Sequence, residues 1–142
     1  MKQKFIDLYM DWATRTAQLS HARRLQVGAV IVKDDSVISY GYNGMPAGWD
    51  NNCENIVGYN MGEPMLKTKP EVLHAESNSI AKLAKSNNSG AGADLFVTHG
   101  PCLECAKLIH QSGIGRVWYN KNYRDDSGIK FLVLSGVEVR QI

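Results

Sequence analysis

The chain has 142 residues, a length that suits one domain over 1–142, and 44% of them are apolar, enough for a core without disulfide or metal staples. A formal net charge of +2 gives no global attraction to nucleic acid or to an anionic membrane. No apolar run approaches the ~20 residues of a membrane-spanning helix, and Met1-Lys2-Gln3-Lys4 leads into a mixed helix rather than the apolar centre of a signal peptide.

Residues 2–19 read as an amphipathic helix, with Phe5, Ile6, Leu8, Tyr9, Trp12, Ala13 and Thr16 at helical spacing. Residues 20–24 are a polar connection. A buried strand follows over 26–33, then a turn at Asp34-Asp35 and a returning strand over 36–42, together a hairpin. Gly41-Tyr42-Asn43-Gly44-Met45-Pro46-Ala47-Gly48 forbids regular structure; on these residues alone it is a tight turn, with an Asn43 amide able to donate and accept. Residues 49–72, with Gly58, Gly62, Pro64 and Pro70, continue as a long irregular segment of the kind that serves as a lid, interface or binding loop. Next come a helix over 74–85, a strand over 94–98, a helix over 102–111 and a strand over 116–120. A polar loop over 121–128, a short helix over 129–135 and a last strand over 137–142 complete the chain. Strands alternating with helices predict a three-layer α/β/α domain with a partly parallel sheet.

The chemistry concentrates in His74-Ala75-Glu76 and Pro101-Cys102-Leu103-Glu104-Cys105. One histidine and two cysteines can give zinc three ligands and leave the fourth position to water. Cys102 and Cys105 are spaced to share one face at the start of a helix, where the partial positive charge favours thiolate. Pro101 suits that position because a helix start needs no N–H donor. Glu76 is placed to move protons rather than to bind metal. H-x-E…P-C-x-x-C is the pattern of zinc-dependent nucleobase deaminases. In such a reaction Glu76 would take a proton from the attacking water and deliver it to the base and then to the leaving amine. Other readings stand beside this one. The C-x-x-C could be a redox pair, or Cys53 could close the site as a fourth, structural ligand. Three cysteines, two of them in C-x-x-C, argue for a reducing cytoplasmic setting over a disulfide framework. His21, His99 and His110 read as surface or core histidines. Arg23, Arg24, Lys121 and Arg124 are candidates for an anion contact, Arg24 foremost because it lies just before the first strand.

On these motifs the sequence resembles the deoxycytidylate (dCMP) deaminases of the cytidine deaminase superfamily. The resemblance runs through Val27–Val32, Gly41–Gly48, His74–Ile80, Gly100–Ile109 and Ser112-Gly113-Ile114. The zinc motif is common to the superfamily; the G-Y-N-G-x-P segment and the C-A-K-x-I continuation single out the dCMP branch. The resemblance implies a five-stranded mixed sheet flanked by helices, one zinc per chain on His74, Cys102 and Cys105, and Glu76 as proton shuttle. It implies that Asn43 contacts sugar and base, that Tyr123 encloses the nucleotide, and that Ala75 and Pro101 lie on the substrate wall. It further implies a homohexamer regulated by dCTP and dTTP through the loop of Gly44 and Pro46, with Mg2+ accompanying the regulatory nucleotide. Some viral relatives hold a second, structural zinc partly through cysteines; only Cys53 stands at such a position here. Two competing functions are a deaminase of tRNA or other nucleic acid, which wants a basic groove, and a non-catalytic zinc-stabilised binding module.

Overall fold

A computed structural model describes residues 1–142. The elements run α1 (Gln3–Ala17), β1 (Gly28–Lys33), β2 (Ser36–Tyr42), β3 (Glu54–Asn60), β4 (Glu63–Thr68), α2 (Ala75–Ala84), β5 (Asp94–His99), α3 (Leu103–Gln111), β6 (Arg116–Lys121), α4 (Ser127–Leu134) and β7 (Glu138–Gln141). β1 is buried from Gly28 to Val32 and β5 from Asp94 to Thr98, because both faces of the sheet are covered there. On one side Ala29, Ile31, Leu95, Val97 and Val117 pack with Ala75 and Leu83 of α2, Ala106 and Ile109 of α3, and Leu132 of α4. On the other, Val30, Val32, Phe96 and Trp118 pack against Ile6, Tyr9, Met10 and Ala13 of α1. The alternation along each strand thus makes three layers, with α1 alone on one face.

The sheet order is β2-β1-β5-β6-β7. β1 is antiparallel to β2 and to β5, whereas β5, β6 and β7 are mutually parallel, so the sheet is mixed and five-stranded. Phe96 and Trp118 are register partners whose rings stack at 5.6 Å. Two residues upstream, the Asp94 carboxylate accepts from Trp118 Nε1 at 2.9 Å and Arg116 Nε at 2.8 Å, which satisfies a buried charge.

Three expectations are corrected. Residues 49–72 are not irregular throughout: β3 and β4 form an antiparallel hairpin outside the main sheet. Its two-residue turn, Met61-Gly62, has φ of 51° and 81°, the left-handed pair that matches hairpin twist. Gly58 sits at a register shift, and Pro64 is tolerated because no strand pairs beyond it. The buried stripe of α1 is also rotated from the expected one: it runs Ile6, Tyr9, Met10, Ala13, Thr16 and Ala17, leaving Leu8 and Trp12 about half exposed. The last helix starts at Ser127, earlier than residue 129.

Candidate active site

β5 ends at His99, and Gly100-Pro101 carries the chain into α3. Cys102 is the N-cap of α3, and His74 is the N-cap of α2, which packs beside it. Helix starts that meet at one sheet end bring their caps together. His74 Nδ1 lies 3.5 Å from Cys102 Sγ and 3.3 Å from Cys105 Sγ, and the three donor atoms all fall within 4.8 Å of one another. A tetrahedral zinc with Zn–S of ~2.3 Å and Zn–N of ~2.0–2.1 Å puts nitrogen and sulfur ~3.5 Å apart, so the cluster fits the metal in donor type and in spacing. Hydrogen bonds from Cys105 and His74 hold Cys102 down to about 4. The hydrogen bond to Cys102, together with burial, pushes Cys105 up, and the same thiolate raises His74. A divalent cation replaces the protons that these groups share. Cys53 is buried elsewhere, its thiol against the Asn51 carbonyl at 3.5 Å, and is not part of the cluster.

Glu76 stands in the first turn of α2 and is 4% exposed. Loss of solvent around its carboxylate pushes it up to about 7. It lines a cavity of about 570 Å³ together with His74 and Cys102. That volume falls within the ~300–1,000 Å³ of small-ligand sites.

Asn43, Ala75, Tyr123 and Arg24 also line this cavity, as do Lys121 and Arg124. The Asn43 amide is already engaged with backbone: Oδ1 accepts from Val27 N at 2.8 Å and Nδ2 donates to Leu25 O at 2.8 Å. The Arg124 guanidinium sits 5.5 Å from the Tyr123 ring centroid. Pro101 is fully buried and does not reach the wall. Gly44 and Pro46 lie off the cavity, Gly44 exchanging backbone hydrogen bonds with Leu73 at 3.0 and 2.8 Å. Arg23 turns away onto Glu54.

Thr68 and His99 are among the wall residues that were not expected from sequence. Thr68 belongs to the hairpin. His99 ends β5, at the carboxyl end of parallel strands, where ligand sites gather. Thr98 Oγ1 accepts from Gly28 N at 3.2 Å and lies 2.9 Å from His99 Nδ1. The hydrogen bond between the buried hydroxyl and Nδ1 fixes the orientation of the ring and leaves Nε2 as its other polar atom. Burial, with Lys121 nearby, lowers the pKa of His99.

Residues 3–121 match the family model described as the cytidine and deoxycytidylate deaminase zinc-binding region. The chain is 35% identical to the deoxycytidylate deaminase of Saccharomyces cerevisiae over 144 residues, an alignment covering 99% of this chain and 46% of the yeast protein. Against the human deoxycytidylate deaminase the identity is 38%, covering 85% of this chain and 71% of the human one. The chain thus spans about half the length of the yeast relative and most of the human one. A solved dCMP deaminase from cyanophage S-TIM5, in complex with dCMP and dUMP, superposes with a TM-score of 0.89 at 40% identity, covering 100% of this chain and 99% of that one.

Proposed function

The chain belongs to the cytidine and deoxycytidylate deaminase family, and from that premise we propose that it is a single-domain, zinc-dependent hydrolase converting dCMP to dUMP and ammonia. One observation carries the reading: a buried carboxylate, Glu76, lines the same cavity as the His74 and Cys102 members of a three-donor metal cluster. In this reading His74, Cys102 and Cys105 hold one zinc per chain. Bound there, zinc supplies a Lewis acid that lowers the pKa of a water molecule. Two thiolates and a neutral imidazole leave little net positive charge on such a centre, so a proton acceptor beside the water is required.

Glu76 is that acceptor. It takes one proton from the attacking water while the oxygen bonds to the ring carbon bearing the amine, and it delivers the proton to the adjacent ring nitrogen. It then collects the remaining hydroxyl proton and passes it to the amine. The carbon–nitrogen bond breaks, ammonia leaves and a carbonyl remains. A carboxyl group near the working pH serves both as acceptor and as donor. His99 Nε2, Asn43 and Tyr123 orient base and sugar, with Ala75 on the wall. Arg24, Lys121 and Arg124 offer the charge-assisted contacts that a 5′-phosphate calls for.

The same proposal includes a cytoplasmic homohexamer regulated by dCTP and dTTP, with Mg2+ accompanying the nucleotide and Gly44 and Pro46 in the regulatory loop. The half-exposed apolar residues Ile56, Val57, Tyr59 and Met65 of the hairpin support association. No helix is long and apolar enough to cross a membrane. The test is a deamination panel of cytidine, deoxycytidine, CMP, dCMP, dCTP and a tRNA anticodon stem. Turnover should be fastest with dCMP. Activity confined to the RNA would overturn the reading.

A further inference from the structure

The base of the β3–β4 hairpin grips Arg24 by both its backbone and its side chain. Glu54 opens β3, Thr68 closes β4, and the two are cross-strand partners. Glu54 is 2% exposed. Its Oε2 accepts the backbone N–H of Arg23 at 3.0 Å and of Arg24 at 3.2 Å, and its Oε1 accepts from Arg23 Nε at 3.3 Å. Thr68 Oγ1 accepts from Arg24 Nη1 at 3.2 Å. A buried carboxylate bonded to two successive N–H groups fixes the direction of the chain at that point.

The consecutive arginines therefore do different work. The Arg23 guanidinium is bonded to Glu54 and to Asn52 Oδ1, the latter at 3.1 Å, and stays off the cavity wall. The Arg24 guanidinium has no acidic partner. Thr68 accounts for one of the five N–H donors a guanidinium carries, and the rest remain for a ligand in the cavity that Arg24 and Thr68 both line. A long side chain held at both ends has already lost much of its rotamer freedom, so an anion binding it incurs less ordering cost. Glu54 itself does not reach the cavity.

We propose that Glu54 is a positioning residue for phosphate recognition: through the base of the hairpin it presents Arg24 to the 5′-phosphate, so the preference for nucleotide over nucleoside depends on a buried carboxylate that never touches substrate. The inference rests on the dCMP reading above. It extends that reading to the hairpin, since any displacement of β3 against β4 moves both groups that hold Arg24.

The experiment is steady-state kinetics with dCMP and with deoxycytidine for the native protein and for Glu54→Gln, Thr68→Val and Thr68→Ser, with zinc content measured on each. Losing one charge-assisted contact is worth about tenfold in binding. Glu54→Gln should raise KM for dCMP by about that factor while leaving kcat, zinc content and the deoxycytidine parameters unchanged. Thr68→Val should shift the dCMP KM in the same direction, and Thr68→Ser, which keeps the hydroxyl, should restore it. Equal losses on both substrates in Glu54→Gln, or no loss, would overturn the inference. Should that variant not fold, Thr68→Val decides, and a dCMP KM matching that of Thr68→Ser overturns it. A native protein inactive on dCMP sinks the substrate reading and the inference together. Native dCMP activity with an indifferent Glu54→Gln sinks the inference alone.

Discussion

Asn43 bridges the Leu25 carbonyl and the Val27 N–H with its own amide, and so ties the glycine-rich loop to the entry of β1. The residue type announces a donor and an acceptor, but only the folded chain shows that both are engaged with backbone. Asn43→Ala should therefore cost about 1–3 kcal/mol of stability, besides any loss in nucleotide preference. Urea unfolding followed by circular dichroism checks this, and an unchanged midpoint would refute it. The three-residue donor cluster is the opposite case. His74, Cys102 and Cys105 stand in two short motifs that can each be read on their own, and because His74 and Cys102 cap adjacent helices the fold brings the two motifs together. Cys102→Ala removes one of three donors, and its zinc stoichiometry should fall from one per chain toward none. Full zinc content by metal analysis would rule out this ligand set. Glu54 was not legible at all: nothing local marks an acid as buried, and its partners Arg23 and Arg24 lie 31 and 30 residues away in sequence.

The start of α4 packs directly on the turn that carries Cys102. A Cβ built on Gly128 would lie 2.1 Å from the Pro101 carbonyl oxygen and 2.8 Å from Cys102 backbone atoms. Gly128→Ala must therefore push α4 or the Pro101-Cys102 turn aside, and overpacking of this kind costs typically ~1–3 kcal/mol. Its zinc affinity should drop along with its stability, as a chelator competition would register; native affinity would show that the turn accommodates the methyl. β1 and β5 were readable from their apolar centres because both their faces are covered. β3 and β4 were not, because most of their residues are exposed and no alternation survives. Their glycines and proline, which read as loop punctuation, are a register shift, a turn and an unpaired edge. In α1 the helix was legible and its buried stripe only in part: Ile6, Tyr9, Ala13 and Thr16 are buried, whereas Leu8 and Trp12, as apolar as these, are not.

At the scale of the whole molecule, the three-layer sheet brings the carboxyl ends of its parallel strands, two helix starts and the hairpin base to one cavity. The exposed apolar residues of the hairpin and of α1 lie outside it. Light scattering on the native protein should find an assembly larger than a dimer, and a monomer at working concentration would remove the case for regulation between subunits. In the proposed reaction Glu76 moves the protons in a cavity where His74, Cys102 and Cys105 would hold zinc. Glutamine matches glutamate in shape but cannot exchange a proton, and Glu76 is not among the cluster's donors. The decisive measurement is dCMP turnover of Glu76→Gln beside its zinc content. The expected result is full zinc, a KM near native and a kcat lower by at least ~10²–10⁴-fold; near-native turnover with full zinc would show that Glu76 is not the proton shuttle.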